Sequence, residues 1–533
     1  MFTNARVVTM DPDNPAAQAF LICGDKLSAV GTEKRVRQQA PPSCEEVDLH
    51  GRTVIPGLIE THNHLSHFAL ALSWTDCSPF VNQSLEDVKA GLQKAALATP
   101  QGEWVFGWGY DDTLLEGARH LTRQDLDEIT CDHPVFVQHV SGHLSYVNSA
   151  ALKMGGVTAC TAQPAGGSFD TDDSGEPTGV LREYGAQRLV GGLLPSPGAD
   201  YFIDTIPQAV AIYNREGITS VHDGAVGMMG QGAVTYKAYQ ALAAAGRLNL
   251  RVYLTTMYEF YDHLLSVGLG RGFGSELLRI GAVKMFQDGS IQGLTAALTQ
   301  DYHCRSGFQG ELIMPQEQMD ELVARYHRQG LQIAVHANGD RAIESVITAF
   351  ERAQAKHPQP VLRHMIIHCQ MARDDHINRM KALEIIPSYF PNHVFYWGDR
   401  HVKMFIGPER AARINPLGSS VRAGLRFTLH ADTPVTPIAP LHSIHCAVNR
   451  VTRNGDVLGP DERIGVYDAL KAFTVDAAYC SHEEDVKGDL SVGKLADFVV
   501  LSEDISSVPP EKIRDIKVLA TYVGGYAVHQ GEQ

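Results

Sequence analysis

The stretch QEQMDELVARYHRQG-LQIAVHANGD-RAIESVITAFERAQ (residues 316–354) contains one complete unit of a pattern that recurs along the chain. An amphipathic segment ends at Gly330, a short apolar run follows, and a second amphipathic segment begins at Asp340. This order reads as helix, strand, helix, with the strand buried on both faces. The same rhythm extends in both directions. Upstream lie the helical TIPQAVAIYNREG (205–217), then ITSVHDGA (218–225), LRVYLTTM (250–257) and GAVKMFQDGS (281–290). Downstream lie MIIHCQ (365–370), the helical ARDDHINRMKALE (372–384), IIPSYFP (385–391), LRFTLHADTPV (425–435) and the helical APLHSIHCAVNRVTR (439–453). TVIPGLIETHNHL (53–65) supplies an eighth strand. Eight strand–helix units predict an α/β fold, a closed (β/α)8 TIM-type barrel.

PVFVQHVSGH (134–143) is a ninth candidate strand for eight places. It lies in a stretch containing WVFGWGYDD (104–112), the Gly/Asp-rich AGGSFDTDDSGEPTG (165–179) and few clear strand–helix units. Residues 76–204 are therefore expected to form a domain inserted after the first barrel strand. The two ends of the chain look alike. ARVVTM, AFLICGDKLSAVG and EVDLHGRTV near the start, and KLADFVVLSED and KVLATYVGGYAVHQG near the end, read as strands joined by tight turns. Residues 1–55 and 480–533 are expected to pair into one composite β-sandwich, leaving 56–75 and 205–479 as the barrel.

Composition narrows the functional classes. Across 533 residues, 44% hydrophobic and 20% charged describes a globular protein and excludes a disordered or collagen-like chain. A net charge of −16 argues against nucleic acid and anionic membrane as partners. The nine cysteines form no C-x-x-C pair, and MFTNARVVTMDPDN carries no basic region followed by an apolar stretch. Reduced thiols and a cytoplasmic protein are the expectation. Neither G-x-x-x-x-G-K-[ST], G-x-G-x-x-G nor G-x-S-x-G occurs, which weakens nucleotide-binding and serine hydrolase readings. The outstanding count is 24 histidines.

His62-Asn63-His64 stands at the end of an apolar strand. With a side-chain period of two, both imidazoles point to one side and can share a cation, although two hydrogen-bonded loop histidines would look the same. The other strands add to this pair: Lys284 on strand 4, His336 ending strand 5, His368 ending strand 6 and Asp432 after strand 8. Barrel enzymes assemble their sites from these C-terminal strand ends. Imidazole and carboxylate donors suit zinc and neighbouring divalent metals. Lys284, flanked by Val283, Met285 and Phe286, would be costly to bury unpaired. It either pairs with an acid such as Asp288 or carries a carbamate formed with CO₂.

The series VIPGLIETHNH, PVFVQHVSGHLSYVNSAAL, GEPTGVLRE, EGITSVHDGA, VKMFQDGS, VHANGD, IIHCQ, PSYFPNHVFYWGDRH, LHADTPVTP and VKGDLSVGKLADFVVLSED resembles the metal-dependent amidohydrolase superfamily nearly end to end. Within it the chain is similar to amidohydrolase family 3, in its N-substituted formamide deformylase-like branch. The resemblance implies metal ligands at His62, His64, His336, His368 and Asp432, Lys284 as a carboxylated bridge, one or two divalent cations such as Zn²⁺, a small-molecule substrate and a homodimer. The chain departs from the pattern at Glu60, His139 and Ile367, where the family commonly has Asp, Arg and Glu.

That ligand set implies a mechanism. A divalent cation would lower the pKa of a bound water from about 15.7 towards roughly 7 and polarise a carbonyl. Asp432 is the candidate catalytic acid/base, accepting the water's proton and passing it to the leaving nitrogen. Candidate substrate contacts are Trp108, Tyr110, His139 and His143 from the insertion, with Asp111 beside them, and His393 and Trp397 from the loop after strand 7, with Tyr389 and Phe395. His222 and His430 are further candidates, and each of the aromatics could instead pack a core. The expected activity is hydrolysis of a C–N bond in a small, aromatic or apolar N-acyl or N-substituted amide. The same site could serve lactam or ester hydrolysis, deamination or decarboxylation, and a silent scaffold is the remote alternative.

Overall fold

Eight parallel strands form one sheet in the computed structural model, which describes residues 1–115 and 119–531. In chain order they are β1 (Leu58–Asn63), β2 (Ile218–Val226), β3 (Arg251–Met257), β4 (Leu278–Phe286), β5 (Ile333–Ala337), β6 (Met365–His368), β7 (Ile386–Tyr389) and β8 (Thr428–Leu429). Each pairs with the next, so the nearly closed barrel follows the sequence order. Side chains finish the seam between β8 and β1. Thr61 Oγ1 donates to Thr428 Oγ1 at 2.9 Å, and the Glu60 carboxylate accepts from the Ala431 N–H. Residues 316–356 form β5 between helices Gln316–Arg328 and Asp340–Lys356, with Gly330 at φ 71° ending the first. Only a left-handed backbone turns the chain back so sharply there, and glycine adopts it without a Cβ clash.

TVIPGLIETHNHL is two strands. Thr53–Pro56 pairs with Arg6–Val8 and Phe498–Leu501, while β1 begins at Leu58. The break falls at Gly57, where a Cβ would lie 2.2 Å from Thr219 Oγ1 on β2, so only glycine allows the crossing. Thr53–Pro56 belongs to a six-stranded sheet that also contains Val518–Val523 and Tyr526–Gln530, strands from the far end of the chain. A four-stranded N-terminal sheet faces it across Phe2, Phe20, Phe498 and Tyr522. Arg251, at the start of β3, holds Asp497 of this layer with bonds of 2.6 and 2.9 Å.

The ninth candidate strand lies outside the barrel. Val135–His139 pairs with Val105–Tyr110 and Leu144–Val147 in a separate six-stranded sheet, completed by Thr75–Asp76, Ser168–Thr171 and Pro177–Arg182. Two elements extend past the limits read from sequence. Strand Thr75–Asp76 straddles residue 76, and helix Ala199–Arg215 starts before residue 205 because Phe202 joins Ile206 in the barrel's outer core. Among the described residues no helix is long and apolar enough to cross a membrane.

Candidate metal centre and active site

Around the C-terminal ends of the strands, the barrel and the inserted sheet enclose a cavity of about 550 Å³. His62, His64, His336, His368 and Asp432 all line it. β1 carries an extra residue relative to β2, since Val221 pairs with Glu60 but Asp223 pairs with Asn63. Such a bulge re-aims side chains. Asn63 turns outward, where its amide oxygen accepts from the Tyr213 hydroxyl, and His62 turns in toward Asp432. A Cβ at Gly224 would sit 2.7 Å from His62 Cε1, so the glycine makes room for that ring. His368 and Asp432 have φ of 70° and 56°, left-handed values that non-glycine residues adopt where the surrounding structure holds them.

The donors converge. Nε2 of His62 and of His64 lie 3.3 and 3.2 Å from Asp432 Oδ1. His368 Nε2 is 3.0 Å from His336 Nδ1. Single ligand atoms of His62, His368 and Asp432 lie within 4.8 Å of one another. Neighbouring groups fix the rings: His64 Nδ1 meets the Gly224 carbonyl at 3.0 Å, and His336 Nε2 meets the Gly289 carbonyl at 3.2 Å. Hydrogen bonds of this kind set which nitrogen is free to bind. His430 stands behind the cluster, bridging His368 Nδ1 and Ser388 Oγ at 3.0 and 2.9 Å.

The electrostatics fit a divalent cation. Burial, with nearby positive groups, holds His62, His336 and His368 well below the ordinary imidazole value, so they are neutral, the form that ligates metal. Asp432 Oδ1 is buried without a hydrogen-bond partner among the described residues. Lys284 is fully buried, its Nζ has no hydrogen-bond partner among the described residues, and burial lowers its pKa to about 7 against the pull of Asp432. Phe286 lies under the amine, its ring centroid 4.9 Å away. The ion pair with Asp288 is not formed. Asp288 spends its carboxylate on the N–H groups of Asn338, Gly339 and Ala297 at 2.8, 2.8 and 2.9 Å.

The expected substrate contacts divide. Trp108, His139 and His143 line the cavity. Tyr110, His222, His393 and Trp397 are not among its lining residues. Gly109, at φ 82°, and a register shift between Trp108 and Tyr110 rotate Tyr110 away, and its hydroxyl donates to the Arg119 carbonyl at 2.7 Å. His222 is sealed against Tyr253, with ring centroids 4.7 Å apart. Trp397 donates to Asp111 Oδ2 at 2.9 Å and packs at a tilt on His393, which bonds His401; His393, Trp397 and His401 belong to the segment after β7 that docks the insertion. Tyr389 bonds Ser420, and Phe395 packs on His442.

Sequence reasoning assigned no role to three carboxylates, although it singled out Glu60 as a departure from the family pattern. Glu60 anchors Ala431, next to Asp432. Asp112 accepts from His139 Nε2 at 3.0 Å, and Glu183 bonds His143 Nδ1 at 2.9 Å. Each acts on a residue far away in the chain, so no local spacing marks it.

The chain matches the amidohydrolase family over residues 45–529. It is similar to the N-substituted formamide deformylase of Arthrobacter pascens, at 31% identity over 98% of this chain and 97% of that one. Its structure is similar to an uncharacterized metal-dependent hydrolase from Pyrococcus furiosus, with a TM-score of 0.74, 27% identity and coverage of 95% and 99% of the two chains. A second metal-dependent hydrolase, from Pyrococcus horikoshii OT3, gives 0.77 at 25% identity, with 96% and 98% covered.

Proposed function

The chain belongs to the amidohydrolase family and is a metal-dependent hydrolase of carbon–nitrogen bonds, and from that premise we propose that it hydrolyses a small N-substituted amide. His62, His64, His336, His368 and Asp432 would hold divalent metal, with Zn²⁺ suited to these donors. Lys284 would bridge as a carbamate: its neutral amine attacks CO₂, the N–C bond forms and one N–H proton leaves. The observation that carries this reading is the buried amine without a partner beside neutral imidazoles and a bare carboxylate oxygen. When bound, the cation supplies Lewis acidity to the carbonyl and acidity to water.

The side chains do the rest. Asp432 takes up the proton of the attacking water and delivers it to the leaving nitrogen. Glu60 holds the segment carrying Asp432 through the Ala431 N–H. Met228, Met257, Phe286, Ile313, Met314 and Val435 give the cavity apolar lining, which suits an aromatic or aliphatic substituent. Trp108 faces the same space, and the amidohydrolase similar to this chain from Arthrobacter pascens is named for N-substituted formamides.

The test is turnover of matched N-aryl and N-alkyl formamides, longer-chain amides, lactams and esters by metal-loaded protein. Preference for an N-substituted amide with an apolar substituent is expected. Faster turnover of the lactam or ester would overturn the substrate reading.

A further inference from the structure

The insertion places one polar assembly against the metal centre that the reaction above does not use. His143 lines the cavity with its ring 5.0 Å from that of His336. Two bonds join it to Glu183. The Glu183 N–H donates to the His143 carbonyl at 2.7 Å, and a Glu183 carboxylate oxygen meets His143 Nδ1 at 2.9 Å. Backbone and ring are thereby fixed together, across 40 residues of chain. Glu183 adopts φ 59°, a left-handed value that costs a non-glycine residue energy and persists where surrounding contacts enforce it. Its seat is shaped by Gly289, where a Cβ would lie 2.4 Å from Glu183 Oε1. Gly289 also offers its carbonyl to His336, so one loop supports both the dyad and a candidate ligand. Glu183 opens the helix Glu183–Gly191, whose Tyr184, Gln187, Arg188 and Gly191 form a face on the cavity.

With Nδ1 committed to Glu183, the ring nitrogen left for a bound molecule is Nε2. Among the described residues no group hydrogen-bonds to it. A carboxylate that fixes an imidazole while the other nitrogen faces the substrate is the arrangement by which orienting acids serve catalytic histidines. We propose that His143 Nε2 contacts the scissile acyl group and that Glu183 is its positioning residue. The inserted stretch then completes the active site, acting as more than its cover. This rests on the hydrolase reading above and deepens it.

The test is a double-mutant cycle on the substrate that the wild type turns over fastest. Kinetics, bound metal and thermal midpoint are measured for His143→Ala, Glu183→Ala, Glu183→Gln and the double alanine variant. Glu183→Ala should lower kcat/KM about 10–100-fold, chiefly in kcat, with metal content and thermal midpoint unchanged. Glu183→Gln, whose amide oxygen still accepts from Nδ1, should recover most of the loss. The double variant should be no slower than His143→Ala, because Glu183 acts only through that ring. If Glu183→Ala does not accumulate as folded protein, Glu183→Asp must reproduce the kinetic loss, since it withdraws the carboxylate by one methylene. Multiplicative losses in the cycle, full activity in His143→Ala or in Glu183→Ala, or metal lost from Glu183→Ala would overturn the proposal. Inactivity toward amides would instead sink the amide reading, and the cycle would still be read on a lactam or ester.

Discussion

Two lysines are buried inside or beneath this barrel, and they are treated in opposite ways. Lys487 sits at the end where the strands begin. Its Nζ donates to Ser220 Oγ at 2.6 Å and lies 2.8 Å from a Glu483 carboxylate oxygen. Lys284 sits toward the opposite end, at the cavity, with no hydrogen-bond partner among the described residues and a pKa lowered by burial to about 7. A buried ammonium is tolerated when paired and hydrogen-bonded; without a partner the group gives up its charge instead. The contrast separates a base built for stability from a mouth built for chemistry, where Asp432 Oδ1 faces the imidazoles of His62 and His64.

The largest effect expected is at the mouth. Asp432→Asn should cost about 10²–10⁴-fold in kcat while leaving the thermal midpoint near the wild-type value. Near-full turnover with metal bound would remove Asp432 from its assigned role. At the base the reverse holds. Lys487→Met leaves the buried Glu483 carboxylate only Arg279, 3.6 Å away, and should destabilise by about 3 kcal/mol in denaturant titration, with metal content unchanged. Burial disfavours the Glu483 charge, but the Lys487 ammonium outweighs it and holds the carboxyl below its ordinary value. The pair's stabilisation is therefore full above the unfolded glutamate value and lost as pH falls through the lower folded value. The gap between wild type and Lys487→Met should narrow in acid, and a constant gap would deny that the pair is ionic. The smallest effect on stability is expected for Lys284→Met in metal-free protein: unchanged, or raised by about 1–3 kcal/mol as an unsatisfied polar group is removed. A marked loss would mean that Lys284 has a structural partner.

The barrel was legible because its strands are short apolar runs between amphipathic helices, a pattern local to each unit. The convergence of His62, His64, His336, His368 and Asp432 followed from placing them at strand ends, where closure of the barrel does the rest. What local pattern could not carry was departure from strict alternation. The bulge in β1 and the turn at Gly109 each re-aim side chains, and the second moved Tyr110 out of the cavity. Only residue type marks His393 and Trp397 in the sequence, and their partners, His401 and Asp111, lie on or against the docking segment after β7. Lys284 was legible as a problem, a cation among apolar neighbours; only the three backbone N–H groups on Asp288 remove the ion-pair answer.

The contrast between the two lysines is tested most directly by counting metal ions per chain in purified wild-type and Lys284→Met protein, grown and handled identically with bicarbonate present. The wild type should carry close to two divalent ions, as a bridged pair requires, and Lys284→Met should retain fewer. Equal metal content in the two proteins, or a wild type without bound metal, would contradict it.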